Sequence, residues 1–366
     1  MKVLLFLTKG LSLELWNKAG ILEREISLYN KLQEHKCTYL IVSYNKTNED
    51  YLLNKYPNIK VLHNYLKLPS LIYQLFIPII YRKEISSSDI IKTNQTFGSL
   101  TALFVSKIFS KPLIYRSGFL LSSNMMAKYG KLSIKYFYAY FAEFFLKKYS
   151  EIIVVSSPKI KREISQGRNL INSKIKVVPN FVDTNLFKPL NVKKKFDLIF
   201  VGRLSDEKNL QSLIPVAIKN KLSLKIIGDG PLRADLEKKY RSFSDKIVFL
   251  GIIDNKLIPK EIQSAKVFVL PSKYEGNPKS LLEAMSCGMP VIASDIQAIR
   301  MIIKNYKNGI LSGTSEEQLN ESVLSLLDNQ TLQKDISISA RETILSKFGL
   351  QNIAKAEKGL YDKLLK

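Results

Sequence analysis

The chain has 366 residues, of which 46% are hydrophobic and 24% are charged, as in a soluble globular protein with an ample core. The length exceeds one ordinary domain and suits two domains of ~180 residues. The longest apolar runs are shorter than the ~20 residues that span a bilayer, and two cysteines exclude a disulfide framework or metal cluster. We therefore expect a cytoplasmic protein.

The net charge of the chain is +24, and the excess is concentrated in its first half. Residues 1–185 carry 27 Lys or Arg against 12 Asp or Glu, and the remainder carries 29 against 20. Such an excess attracts anionic lipid or nucleic acid, although a compositional bias without a partner remains the alternative. No motif that reads RNA or DNA is present, so we expect no specific nucleic acid partner.

The first half alternates strands with helices. Residues 3–7 predict a buried strand, which is too short for a signal-peptide core, residues 8–19 a loop, and residues 21–34 a helix. Further strands are predicted at 38–43, 59–62, 90–92, 113–115, 152–155 and 175–178. This alternation predicts a parallel sheet wrapped by helices.

Ligands of such sheets bind at the carboxyl ends of the strands. The loops at 9–20, 93–98 and 116–123 are therefore candidate binding loops, and Asn94, Gln95 and Arg116 are candidate acceptor contacts within them. Neither histidine is well placed for catalysis, and we interpret both as structural. Gly20 precedes a helix, where a glycine with only a structural role is the alternative.

Residues 126–149 combine five lysines with nine Tyr and Phe residues and predict one basic aromatic helix. A helix that is apolar around much of its circumference is usually part of a core. Basic ends with an aromatic body also suit a membrane interface. Both interpretations remain open, and the net charge favours contact with an anionic membrane surface.

The midpoint of the chain predicts a domain boundary. Residues 177–183 read Val-Val-Pro-Asn-Phe-Val-Asp, and residues 186–195 have the composition of a linker. The alternation then restarts with a strand at 196–201, followed by Arg203 and Lys208. These two cations could neutralise a diphosphate, since Arg gives a planar fork and Lys a point charge. An exposed pair without function is the alternative for these residues in isolation.

Residues 224–231 predict a strand that runs into a Gly-Asp-Gly-Pro turn containing Gly228 and Gly230. Arg233 stands where the third glycine of G-x-G-x-x-G would be. Two glycines alone are weak evidence for a dinucleotide site.

Residues 267–294 predict a strand–loop–helix–strand unit. The strand covers 267–270, Asn277 is expected as N-cap, Pro278 as the first helical residue, and Gly288 as the left-handed residue after the helix. A helix N-terminus beside a glycine-containing loop favours an anion, usually phosphate. Glu275 and Glu283 flank this position and could accept hydrogen bonds from sugar hydroxyls, although Glu in isolation is more often a solvated surface residue.

The E-x7-E spacing of Glu275 and Glu283 within PSKYEGNPKSLLEAMSCGMPVIAS resembles the donor-site signature of retaining GT-B glycosyltransferases of family 4. This chain has Asn277-Pro278-Lys279 where many members have Phe-Gly. The PNFVD segment, the Arg203–Lys208 pair and the GDGP turn resemble further segments of the family. Residues 247–251 resemble the segment lining its base pocket, and Ala19-Gly20 loosely resembles its glycine pair.

The resemblance implies two Rossmann-like α/β domains facing across a cleft. Residues 1–185 would form the acceptor-side domain and residues 186–366 the nucleotide-sugar domain, with the last helix packing back on the first. Arg203 and Lys208 would hold the donor phosphates, Glu275 the transferred sugar, and Glu283 the ribose. The complete donor-binding set would be Gly20, Gly202, Gly228, Gly230, Leu250, Gly276, Asn277, Pro278, Lys279, Ser280, Leu281 and Glu283, with Arg203, Lys208 and Glu275 as the catalytic residues.

The implied reaction is transfer of a sugar, with retention, from a nucleotide diphosphate sugar to a hydroxyl of a lipid-linked or glycan acceptor. It would serve bacterial cell-surface polysaccharide or lipopolysaccharide assembly on the inner face of the plasma membrane. We expect no cofactor and no metal, because the sequence has no Asp-x-Asp pair. The alternatives are a sugar-nucleotide epimerase, an inactive partner subunit and a non-catalytic basic binding protein.

Overall fold

A computed structural model describes residues 1–165 and 173–365 of the chain. The chain divides into two compact units. The first consists of Met1–Pro179 and Ile353–Lys366, and the second of Asn180–Asn352. The chain thus leaves the first unit near its midpoint and returns to it with the last helix.

The first unit contains a parallel sheet of seven strands in the order β3-β2-β1-β4-β5-β6-β7. Its strands are buried almost throughout, which accounts for their continuous Val, Ile and Leu content. The predicted strands are confirmed, with ends that shift by one or two residues. Their bounds are β1 Lys2–Phe6, β2 Thr38–Val42, β3 Ile59–Leu62, β4 Ile90–Thr93, β5 Leu113–Ser117, β6 Ile152–Val155 and β7 Ile175–Val177.

The helices of the first unit cover both faces of this sheet, as expected for parallel strands joined by crossovers. Two short 3-10 helices cover Leu32–His35 and Asp50–Leu53. The helix bounds are α1 Leu13–Lys18, α2 Leu22–Lys31, α3 Ser70–Ile80, α4 Arg82–Ser86, α5 Ser99–Ile108, α6 Leu121–Tyr129, α7 Ile134–Tyr149 and α8 Pro158–Ser165.

The prediction of a continuous loop over 8–19 was wrong, because helix α1 lies within it. The Ser12 side chain caps this helix by accepting a hydrogen bond from Leu15 N at 3.1 Å. Leu13 and Trp16, three residues apart, point into the core. A cap and one apolar pair suffice for a helix of six residues once tertiary packing supplies the rest.

The prediction of one helix over 126–149 was also wrong. Helix α6 ends at Tyr129, Gly130 adopts a φ of +80°, and helix α7 restarts after Ser133, whose Oγ accepts from Tyr136 N at 3.2 Å. The glycine permits the left-handed turn that separates the two helices. The interpretation of these aromatic residues as core is wrong as well, since Tyr140 and Phe141 are 51% and 54% exposed.

The second unit contains a parallel sheet of six strands in the order β10-β9-β8-β11-β12-β13. Its strands are β8 Phe196–Val201, β9 Leu224–Ile227, β10 Ile247–Gly251, β11 Ala265–Leu270, β12 Val291–Ser294 and β13 Ile310–Ser312. Its helices are α9 Leu210–Lys219, α10 Arg233–Lys239, α11 Ile258–Gln263, α12 Lys279–Ser286, α13 Gln297–Arg300, α14 Glu316–Leu327 and α15 Gln330–Lys347. Helix α16, Leu350–Leu364, starts in this unit and ends in the first.

Both sheets contain only parallel strand pairs among the described residues, so each unit is a Rossmann-like α/β layer structure. In the described ranges, no helix combines the length and apolarity that a bilayer crossing requires. The carboxyl ends of the six strands in the second unit lie along one edge of its sheet, and the predicted donor-binding residues other than Gly20 belong to this unit.

Candidate active site

An ion pair joins two of the three predicted catalytic residues at the carboxyl edge of the second sheet. Lys208 Nζ donates to Glu275 Oε1 at 2.5 Å, although 67 residues separate the two positions. Their side chains are only 18% and 9% exposed. Partial burial strengthens the attraction between the two charges, because few water molecules screen it. The loops after β8 and β11 therefore meet at a fixed, charged contact.

Ser272 is a member of this contact that we did not predict. Its Oγ donates to Glu275 Oε1 at 2.8 Å, and the side chain is fully buried directly after β11. The same oxygen of Glu275 thus receives both Lys208 and Ser272, which orients the carboxylate. A serine three residues before the predicted catalytic glutamate, in a strand-end loop, was the available signal.

Lys273 also connects these loops. Its backbone N donates to Glu207 O at 2.8 Å, and its Nζ lies 3.3 Å from Asp206. Burial by itself raises the pKa of Glu207. Hydrogen bonds to its carboxylate and the charges of Lys208 and Arg203 outweigh this effect, so the pKa lies below the usual 4.5. The carboxylates of Asp206 and Glu207 therefore lie between the cations Arg203 and Lys208 in the sequence.

Arg203, the third predicted catalytic residue, is exposed directly after β8. Within the described residues it takes part in no ion pair, although its charge helps to lower the pKa of Glu207. The diphosphate site predicted for Arg203 and Lys208 stays a prediction. Their assignment as catalytic residues stays a prediction.

The glycines of the strand-end turns allow three loops to touch through their backbones. A Cβ on Gly228, which has a φ of +132°, would lie 1.9 Å from Gly202 O, and a Cβ on Gly230 would lie 2.4 Å from Leu204 O. Leu204 N donates to Asp229 O at 2.9 Å, and Gly228 N donates to Gly251 O at 2.8 Å. Only glycine fits at such distances. The turns after β8, β9 and β10 thus pack directly against one another through their backbones. We call this contact the close-packed floor.

The loop before helix α12 differs from the prediction in its cap. Pro278, with φ −73° and ψ 109°, is the N-cap, and the first helical residue is Lys279. The prediction of Asn277 as N-cap was therefore wrong by one position. The proline keeps an extended conformation there, and its missing N–H costs no helical hydrogen bond. Gly288 has the predicted left-handed φ, at +68°, after the C-cap.

Asn180 connects the PNFVD segment to this same loop. Its Nδ2 donates to Asn277 O at 2.7 Å, across 97 residues. Lys279 Nζ lies 5.9 Å from the ring centroid of Phe181, a cation–π contact in the next residue of the segment. The PNFVD segment and the loop before α12, which lie far apart in the sequence, therefore meet at the start of α12.

Glu283 is the fifth residue of α12, about 6 Å along the axis from its first residue at ~1.5 Å per residue. Its relative exposure is 3%. Burial, followed by the charge of Glu283, raises the pKa of the Cys287 thiol to about 12, so this thiol stays protonated at neutral pH. Leu281 is fully buried, so its predicted place among the donor contacts stays a prediction. Leu250, by contrast, is 39% exposed in β10.

The predicted contacts of the first unit lie near the carboxyl edge of its own sheet. Asn94 and Gln95 follow β4, and Gln95 Oε1 accepts from Gly118 N at 3.2 Å, which joins the β4 and β5 loops. Arg116 was predicted in a loop, but it lies within β5 because it pairs with Val154 of β6.

Gly20 occupies the turn between α1 and α2, with a φ of +67°. Its N donates to Asn17 O at 2.9 Å, so its conformation completes the end of α1. A left-handed φ gives this glycine a structural reason of its own. Its predicted place among the donor contacts stays a prediction.

Residues 182–343 match the family described as Glycosyl transferases group 1. The uncharacterized glycosyltransferase MJ1607 of Methanocaldococcus jannaschii is 29% identical over 230 residues, 57% of this chain and 59% of that protein. An Escherichia coli UDP-Gal:alpha-D-GlcNAc-diphosphoundecaprenol alpha-1,3-galactosyltransferase is 31% identical over 211 residues, 51% of this chain and 54% of that protein. The chain thus spans little more than half the length of these two relatives.

Among solved structures, the crystal structure of Anabaena Alr3699/HepE in complex with UDP superposes with a TM-score of 0.79 at 19% identity. The superposition covers 99% of this chain and 100% of that chain. With the two parallel sheets, this likeness confirms the predicted fold of two Rossmann-like domains of the GT-B type. The family match and the relatives support a GT-B glycosyltransferase.

Proposed function

We propose that the chain is a retaining glycosyltransferase that moves a sugar from a nucleotide diphosphate sugar to an acceptor hydroxyl. The observation that carries the proposal is the contact between Lys208 and Glu275, beside the exposed Arg203, at the carboxyl edge of a Rossmann-like sheet. This arrangement offers cations to a diphosphate and a carboxylate to sugar hydroxyls in one place.

Arg203 and Lys208 would bind the donor diphosphate and stabilise the negative charge that grows on the leaving group. The backbone N–H groups of the first turn of α12, Lys279 to Leu281, would add to this field because a helix N-terminus attracts anions. Groups fixed in advance around a developing charge often dominate catalysis. Loss of one cation should cost about 3 kcal/mol in the transition state, or about a hundredfold in rate.

Glu275 would hold the transferred sugar, and Glu283 the ribose of the nucleotide. Ser272 and Lys208 fix Glu275 through one oxygen, which leaves Oε2 of the carboxylate for a sugar hydroxyl. The buried position of Glu283 suits a single specific contact, since a carboxylate shielded from water makes stronger hydrogen bonds.

Retention would follow from attack on the same face as the departing diphosphate, with a donor phosphate oxygen taking the acceptor proton. This mechanism is inferred from the resemblance to family 4. The sequence has no Asp-x-Asp pair to bridge a metal to the diphosphate, and we propose that cationic side chains replace the metal. No other cofactor would be needed, because the donor carries its own leaving group.

The acceptor would be a lipid-linked or membrane-held glycan in bacterial cell-surface polysaccharide or lipopolysaccharide assembly. One relative is named for transfer to a diphosphoundecaprenol-linked sugar, and a basic first half would favour an anionic membrane surface. We accordingly propose a cytoplasmic protein that associates peripherally with the inner face of the plasma membrane.

Thermal unfolding of the full chain with UDP, GDP, ADP and CDP, each without and with magnesium, tests the donor site. A nucleotide at 100 times its Kd should stabilise the unit that binds it by about 2.7 kcal/mol. One nucleotide should raise Tm without magnesium, and Arg203→Ala should abolish the shift. Arg241→Ala, an exposed arginine of the same unit outside the predicted site, is the matched control. Absence of a shift with every nucleotide would refute the donor site.

Incubation with the identified nucleotide sugar and candidate acceptors then tests the reaction. NMR of the product should show the anomeric configuration of the donor. An inverted product would contradict retention. Conversion of the donor to its epimer without an acceptor would identify a sugar-nucleotide epimerase instead.

A further inference from the structure

Helix α3 of the first unit exposes a stripe of large apolar side chains. Leu71, Leu75 and Ile79 are 68%, 68% and 70% exposed. Their spacing of four residues places them above one another on one side of the helix. An isolated exposed leucine is ordinary in a globular protein, but a stripe along a whole helix is not.

Helices α5 and α7 continue this exposed apolar surface. Phe104 of α5 is 51% exposed, and Phe137 and Phe141 of α7, four residues apart, are 46% and 54% exposed. A groove with a volume of 660 Å³ is lined by residues of all three helices, among them Leu75, Phe104 and Tyr138. The three helices therefore present one continuous surface, which we call the apolar face and define by Leu71, Leu75, Ile79, Phe104, Phe137 and Phe141.

Lysines accompany the apolar face, since Lys9 lines its groove and Lys107 lines a second groove together with Phe104. The sequence from Ile90 to Ala142 contains no Asp or Glu. Glu143, on α7, is buried and accepts hydrogen bonds from Ser122. Two further lysines lie over a tyrosine where α6 is followed by α7. Lys135 Nζ lies 4.0 Å and Lys128 Nζ 5.4 Å from the ring centroid of Tyr129.

We propose that the apolar face is the surface by which the chain docks on an anionic lipid bilayer. Its leucine, isoleucine and phenylalanine side chains would enter the boundary between headgroups and acyl chains. The accompanying lysines would contact anionic headgroups, as the aromatic and basic residues of interfacial helices do. The inference deepens the proposed membrane association, and it does not depend on the transfer reaction.

A second copy of the chain is a less suitable occupant of this face. A symmetric interface would bring the lysines of both copies into one contact. The acid-free segment between Ile90 and Ala142 offers no carboxylate to balance these charges. An anionic lipid surface supplies the missing charge and covers the apolar side chains at the same time.

The test is sedimentation of the full chain with vesicles of phosphatidylcholine, alone or mixed with phosphatidylglycerol. The chain should sediment with the mixed vesicles and much less with phosphatidylcholine alone. The double variant Leu75→Gln/Phe141→Gln should lower the partition coefficient by at least about tenfold, since each substitution removes one inserted apolar side chain. Both positions are exposed, so the fold should tolerate the change.

Ile338→Gln/Leu345→Gln is the matched control, because it replaces two exposed apolar residues on α15 of the second unit. It should bind vesicles like the unaltered chain. Equal binding by both double variants would overturn the proposal. A dimer in vesicle-free sedimentation that Leu75→Gln/Phe141→Gln dissociates would also overturn it, in favour of self-association.

The nucleotide shift in Tm separates this inference from the proposed function. The Leu75→Gln/Phe141→Gln variant should keep the shift while losing vesicle binding. A chain that binds vesicles through the apolar face but responds to no nucleotide would support the docking surface and refute the donor site.

Discussion

Lys92 and Glu357 form an ion pair in which neither side chain has any exposed surface. Lys92 Nζ also donates to Tyr361 OH at 3.2 Å, and Tyr361 OH donates to Glu357 Oε1 at 2.8 Å. Tyr39 OH lies 3.0 Å from Tyr361 OH. The network ties helix α16 to strands β2 and β4 of the first unit. Removal of one charge would leave the other buried without its partner.

Lys92→Met should therefore destabilise the first unit by about 3–5 kcal/mol. Guanidinium unfolding followed by fluorescence of Trp16, the one tryptophan of the sequence, reports on this unit. The double variant Lys92→Met/Glu357→Met should recover most of the loss, because it buries no charge. Lys358→Ala, which removes an exposed ion pair of the same helix, should change stability by less than about 1 kcal/mol. A similarly small effect of Lys92→Met would contradict the prediction.

The same pair predicts a loss of stability in acid. Burial by itself raises the pKa of Glu357. The charges of Lys92 and Arg116, with hydrogen bonds from Lys92 and Tyr361, outweigh this effect, so the pKa lies below the usual 4.5. A carboxyl whose folded-state pKa lies below its unfolded value stabilises the fold above the unfolded value. That contribution disappears as the pH falls through the folded-state pKa.

Free energies of unfolding measured below pH 4.5 should thus fall more steeply for the natural chain than for Lys92→Met/Glu357→Met. If the free energies of unfolding of the two proteins fell equally steeply with pH, Glu357 would not have the lowered pKa.

Gly228→Ala should destabilise the second unit by roughly 2–5 kcal/mol, since a Cβ would add backbone strain and a clash with Gly202 O. Calorimetric unfolding should show a lower Tm for this unit, and nucleotide binding should weaken with it. Gly359→Ala, in α16, is the control, because its Cβ would meet no atom within 4 Å. It should raise stability by up to ~1 kcal/mol, as alanine favours a helix over glycine. Equal effects of the two substitutions would contradict the close-packed floor.

Lys208→Ala should lower the rate of sugar transfer by about a hundredfold, because it removes the cation proposed to bind the diphosphate and a partner of Glu275. Lys266→Ala is the control, since Lys266 pairs with Asp197 and is 52% exposed. It should keep the natural rate. A transfer rate within a few-fold of natural in Lys208→Ala would exclude the assigned role.

Glu275→Gln and Glu283→Gln should have different effects. The first should slow transfer with little change in nucleotide affinity, since Glu275 would contact only the sugar. The second should weaken nucleotide binding by calorimetric titration, since Glu283 would contact the ribose. Unchanged affinity and activity in both variants would remove the site assignment.

Local patterns were enough to predict most of the two sheets and the glycine turns of the second unit. Short apolar runs identified the strands, and Gly288 was identified by its place before Pro290. Local patterns failed where a cap decides the outcome. Ser12 starts a helix in a predicted loop, and Pro278 takes the capping position expected for Asn277.

Contacts between distant positions were beyond reach of the sequence pattern. The separation between Lys208 and Glu275 is 67 residues, and no periodicity links them. The family resemblance placed both at one site, but only the structure pairs them and adds Ser272. Arg116 was assigned to a loop because its strand continues past the apolar run, through pairing with β6.

The return of α16 to the first unit has a consequence for biosynthesis. During translation, Lys92 is added to the chain long before Glu357, and the whole second unit is synthesised between them. Until the last helix emerges from the exit tunnel, the Lys92 ammonium lacks the carboxylate that makes its burial favourable. We therefore expect the nascent first unit to stay incompletely packed, and accessible to chaperones, until helix α16 has been synthesised.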